Sequence, residues 1–189
     1  MREPLLIVHK SGRTTFFDRS EQHSPSSFGG PLEISVEGLH LPVQLHHIAW
    51  LSHNQLKNQG PSRYLDLPLV HPMRYSGGML SYTFSRESIQ ILELDPLEAS
   101  DSWPYRGFPE LLPFHPVEVI SEISEEWSTF AERTPNLPAQ QPADVVVLVP
   151  PPRGLGFTLW GRSGDAEGVT IVFECDLLAK KVNTYNVCS

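Results

Sequence analysis

The sequence predicts an α+β fold leaning to mainly β, with antiparallel sheets of short strands, one clear helix at about 124–133 and long Pro-rich loops. Three observations predict it. Eighteen prolines in 189 residues are nearly twice the average share. Proline interrupts helix interiors and central strands alike, so the elements must be short. Apolar and polar residues alternate with period two at several places, whereas helical spacing appears once. A chain of this length is expected to fold as a single domain, 1–189, burying roughly 70% of the surface its unfolded form exposes.

Leu5–Val8 and Thr14–Phe17, separated by Lys10-Ser-Gly-Arg13, read as a hairpin with a glycine turn. Residues 18–31 are polar, with Ser, Gly and Pro throughout, and read as a mobile loop. Leu32–Val36 and Val43–Leu51 alternate as strands do, and a helical turn is expected near Gln55–Lys57. Tyr64–Pro72 holds two prolines, which suits an edge strand or an extended loop. Met79–Phe84 and Ser88–Leu94 form the clearest hairpin.

Five prolines between 95 and 116 argue against regular structure there, while the aromatic residues argue for a loop packed on the body. Val117–Ile123 is read as a strand. Ser124 is positioned to cap the helix, Glu125 and Glu126 favour its positive end, and Trp127, Phe130 and Ala131 share one face. Residues 134–143 are linker-like in composition. Asp144–Val149, Phe157–Trp160 and Val169–Cys175 are expected strands, and the unbroken apolar run Val145–Val149 fits one buried on both faces.

Charge is the most unequal feature. Between Glu87 and Glu132 stand eleven carboxylates and one base, Arg106, a net charge of −10 against −8 for the whole chain. An acidic balance with only Lys180–Lys181 as a basic pair excludes a general nucleic-acid binder and disfavours an anionic membrane. Two cysteines, Cys175 and Cys188, make no disulfide framework. No signal-like or membrane-length apolar run is present, so a cytoplasmic location is expected.

Candidate chemistry is sparse. Acid, base and hydroxyl occur together as Asp66, His71 and Ser76, but triads are defined by geometry and not by proximity in sequence. His40 and His46 offer two metal ligands, yet an extended segment would set them roughly 20 Å apart. His46 and His47 point to opposite faces of a strand. A small hydrolase or metal-dependent enzyme using His46, His71 or His115 is therefore the alternative expectation, and a structural component of a larger complex is a further one. No cofactor motif is present and no cofactor is expected. Pro152-Arg-Gly-Leu-Gly-Phe157 resembles the carboxylate-binding loop of PDZ domains over about 25 residues, which implies a peptide terminus as ligand. The strands and groove helix that complete a PDZ domain are missing, so the segment reads as a β-turn.

The remaining candidate is the acidic aromatic segment itself. Trp103, Tyr105, Phe108 and Phe114 are its expected anchors, and Asp95, Glu98, Asp101 and Glu110 its steering charges. Bacterial immunity proteins and inhibitors of basic toxins or nucleases have this character, because carboxylates can occupy a site evolved for phosphate. A basic protein is the expected partner.

Overall fold

The computed structural model describes residues 3–38, 44–56, 66–74, 78–95, 104–132, 136–158 and 169–188. In chain order the strands are β1 (Leu6–Lys10), β2 (Arg13–Arg19), β3 (Ser26–Phe28), β4 (Ser35–Glu37), β5 (His46–Leu51) and β6 (Leu67–His71). They continue with β7 (Leu80–Phe84), β8 (Ser88–Leu94), β9 (His115–Ser124), the helix α1 (Trp127–Ala131), β10 (Val145–Val149), β11 (Val169–Asp176) and β12 (Lys181–Cys188). All twelve belong to one sheet, in the order β4-β8-β7-β12-β11-β10-β1-β2-β9-β3-β5-β6. Every pairing is antiparallel except β4 with β8. Among the described residues the protein is thus mainly β with one short helix, and none of them forms a helix long and apolar enough to cross a membrane.

Sheets of more than about ten strands curl, and this one does. Tyr82 on β7 donates its hydroxyl to the Pro68 carbonyl (2.8 Å) and accepts from the Val70 amide (3.2 Å), both on β6. His71 Nδ1 lies 3.0 Å from Thr184 Oγ1 on β12. The end strand β6 is therefore carried over β7 and β12, and its five residues are buried although it is last in the order. One apolar core, including Phe17, Phe28, Ile48, Leu69, Tyr82 and Phe173, fills the interior.

Local chemistry explains the hairpins. Ser11 and Gly12 both have positive φ (50° and 72°), the backbone that a two-residue turn between twisted strands requires. In the β7–β8 turn, Ser85 Oγ accepts the amides of Glu87 and Ser88. In the β11–β12 turn, Asp176 Oδ1 accepts the Ala179 amide at 2.8 Å. Three features depart from the sequence expectation. β3 lies within the segment read as a loop, because Ser24 and Ser26 pin it to β9 and to Ser52. Phe157–Thr158 is not a strand. β12 follows β11, its Val182 and Thr184 buried and its asparagines interrupting the apolar pattern.

The helix is also shorter than expected. Ser124 ends β9 and caps nothing; Glu126 occupies the cap position with no side-chain hydrogen bond. Glu125 supplies the reason. Its amide donates to the Gly12 carbonyl (3.0 Å) and its carboxylate accepts the Thr14 hydroxyl (2.7 Å), which extends the strand by a residue. Because that hydroxyl proton goes to Glu125, the Thr14 oxygen is left to accept from His9 Nδ1–H at 3.1 Å. His9 is buried against Trp127 and Phe130, with ring centroids at 5.5 and 4.6 Å. The relay thereby fastens α1 over the outer apolar layer of Val146, Leu148, Val172 and Val187. Thr14→Val is expected to cost about 2–3 kcal/mol in urea unfolding by removing two buried hydrogen bonds, one of them to a carboxylate, and Thr14→Ser much less. Equal stability of Thr14→Val and wild type would refute the relay.

Candidate functional site

Residues 104–114 form no helix or strand, yet four of their carbonyls are held by distant groups. Arg74 donates to the Phe108 carbonyl (2.9 Å), His46 Nε2 lies 3.0 Å from that of Pro109, Gln44 donates to Glu110 (2.9 Å) and the Gly30 amide to Leu112 (2.9 Å). Phe108 is a core residue, edge-on to His46, Tyr105 and Phe157. Tyr105 is half-buried, and its hydroxyl accepts the Thr158 amide at 3.3 Å. These two aromatic residues anchor the segment inward. Leu111 and Phe114, each 61% exposed, and the exposed Glu110 face solvent from the same backbone.

Phe114 is seated by a glycine pair. Gly29 and Gly30 have φ of +67° and +84°. A Cβ on Gly29 would collide with the Pro113 carbonyl oxygen, and one on Gly30 would stand 2.9 Å from the Phe114 ring. Only glycine allows both the backbone and this approach.

Beside Phe114 a cleft of about 470 Å³ is lined by Ser27, Pro31, Glu33, His47 and Trp50 among others. A bulge builds it. The β5–β6 register pairs His47 with Val70 and Trp50 with Pro68, skipping Ile48. His47 and Trp50, which regular alternation would send to opposite faces, therefore share one face. Ser27 stands directly opposite Trp50 on β3 and joins them. Trp50 is steadied by its indole N–H, which donates to Asp66 at 3.3 Å. Burial lowers the His47 pKa, against a smaller opposing influence of the Ala49, Pro31, Gly29 and Gly30 carbonyls.

Beyond Val117, β9 pairs with β2 alone among the described strands. Val119, Ile120 and Ile123 are exposed there. Glu118 lies opposite Asp18, a like-charged cross-strand pair, while Glu122 is bridged by Arg13 at 2.8 Å.

The other predicted residues fall elsewhere. Asp95 follows β8, near the far end of the strand order from β9, with its amide on the Met79 carbonyl (3.1 Å). Trp103, Glu98, Asp101, His40 and Ser76 lie outside the described residues. His46 and His71 are register partners on β5 and β6 and both are buried. Burial pushes the His71 pKa down to about 3, and His46 adds to the shift. Asp66 is spent on Trp50 and on the His53 amide (2.8 Å), at the opposite end of β6 from His71. Among the described residues no group of three His, Cys, Asp or Glu side chains is arranged to hold a metal ion. The PDZ-like turn contributes Phe157, which stacks on Phe28 at 6.4 Å in the core.

The sequence singles out neither Leu111, Glu33 nor Trp50, and His47 enters it only beside His46 as a candidate metal ligand. Gly29-Gly30 was the one local sign that something packs closely there. In comparison with known proteins, the chain matches no family model, no curated protein and no solved structure.

Proposed function

We propose that this chain is a protein-binding module of immunity or inhibitor type, which neutralises a basic toxin or nuclease through an acidic aromatic surface. The observation that carries the proposal is the construction of 104–114: its backbone is tied down at four carbonyls while Leu111 and Phe114 remain 61% exposed beside Glu110. Large apolar side chains fixed in solvent are the usual form of interface anchors, because little entropy remains to be lost on binding. The open stretch of β9 adds exposed apolar side chains, with the exposed Glu118 next to them in sequence. A net charge of −8 favours encounter with a basic protein.

The anchors are tested by substitution against the captured partner. Phe114→Ala is expected to weaken binding by about 2 kcal/mol or more, and Leu111→Ala by about 1. Glu110→Gln should chiefly slow association and reduce its salt dependence. Unchanged affinity in both Phe114→Ala and Leu111→Ala would remove this face from the interface.

A further inference from the structure

We infer that α1 is an acid-released latch over His9. It stays closed only while that imidazole is neutral, because proton uptake at His9 Nε2 requires the helix to lift away.

Hydrogen-bond accounting carries the inference. The Thr14 hydroxyl proton goes to Glu125, so Nδ1 is the His9 nitrogen that holds the ring proton and donates it to Thr14. Nε2 is left as a bare lone pair, buried and without a hydrogen-bond partner. The two rings packed on the imidazole, Trp127 and Phe130, both belong to α1. A proton on Nε2 would make a buried, charged N–H with no acceptor, which costs far more than the neutral lone pair. Aromatic faces attract a cation only weakly beside that cost. Lifting α1 gives the new N–H water.

The charged groups around the ring do not reverse this. Glu125 and Glu126, where β9 meets α1, favour the charged imidazole, but burial outweighs them and lowers its pKa. β2 and β10 place Thr14 and Val146 opposite His9, and neither titrates. Glu174, next in that row on β11, is engaged by the Tyr185 hydroxyl at 2.8 Å. On β2, Arg13 is bridged to Glu122, and Lys10 of β1 donates to the Leu56 carbonyl. The helix itself suits a latch. It has five residues and no side-chain cap, so packing holds it rather than its own ends. Such an element opens at a fraction of the cost of global unfolding. Its opening uncovers Phe130 and the layer of Val146, Leu148, Val172 and Val187. The latch is fully closed above the ordinary histidine value of 6.5, and closure weakens as pH falls from there towards the depressed value.

The test is amide hydrogen exchange of the intact protein, corrected for intrinsic rates. It is read at the Phe130 and Glu132 amides, which donate to the Glu126 and Ser128 carbonyls, and at β10 as the measure of global opening. A single proton with an open-state value of 6.5 raises the open population by at most about tenfold between about pH 7.5 and about pH 5.5. A several-fold rise is expected at Phe130 and Glu132, which should exchange faster than β10 throughout. His9→Gln keeps a donor for Thr14 and cannot charge, and His9→Phe keeps a ring; both should flatten the α1 response. Should neither variant fold, wild type alone decides, because the His9 ring and the Trp127 indole should titrate with one midpoint below 6.5. The latch is overturned by α1 amides that exchange only at the β10 rate, by opening independent of pH, by an equal rise in His9→Gln, or by separate midpoints for His9 and Trp127.

Discussion

Below about pH 6.5 the protein is expected to lose stability steeply. His9, His46, His47 and His71 are all buried, and burial lowers the pKa of each. An unfolded chain takes up protons at these side chains near the ordinary histidine value, whereas the folded chain does not until lower pH. Stability is therefore full above the unfolded value and is lost as pH falls from there towards each depressed folded value. For His71, displaced from 6.5 to about 3, the loss by pH 3 is on the order of 5 kcal/mol. His71 alone gives a slope of about 1.4 kcal/mol per pH unit between those values, and His9, His46 and His47 add to it in the same direction. Against a typical domain stability of about 5–15 kcal/mol, the His71 contribution alone, about 2 kcal/mol by pH 5, is a measurable loss. Urea titrations from pH 8 downwards measure this directly. A midpoint unchanged between neutrality and pH 5 would contradict it. His71→Gln, which cannot charge, should be less stable at neutrality but flatter in its pH dependence.

Gly29→Ala is expected to be the most damaging small substitution near the proposed surface. Two costs combine: an L-residue at φ +67° is strained, and its methyl would collide with the Pro113 carbonyl. The sum is about 3 kcal/mol or more. Gly12→Ala provides the comparison, since Gly12 has φ +72° but nothing within 4 Å of a Cβ. It should cost only about 1 kcal/mol. The difference isolates the collision, and the Gly29 variant alone should expose 104–114 to protease. Equal costs for the two glycines would mean that the segment does not sit on Gly29.

The contrast between what could be read from the sequence and what could not has a physical origin. Ser11-Gly12 announces its hairpin because a positive-φ turn restricts residue choice locally. Val145–Val149 is buried throughout because it carries no polar residue to expose. Segment 104–114 was expected to pack on the body through its aromatic residues, and Tyr105 and Phe108 do so. Its anchors, however, are Arg74, His46 and Gln44, all from distant sequence, and nothing local identifies them. The cleft depends on skipping one residue at Ile48. A bulge changes which faces His47 and Trp50 occupy without changing the residues. Charge counted along the chain also mixes places, since Asp95, just after β8, and Glu118, on β9, stand far apart in the sheet order.

The central claim is most directly tested by capture from source lysate at low and high salt, with wild type and Phe114→Ala side by side and bound proteins identified by mass spectrometry. The account predicts one basic protein, retained by wild type at low salt, reduced at high salt, and largely lost with Phe114→Ala. No basic protein retained by wild type, or one retained equally by the Phe114 variant, would contradict it.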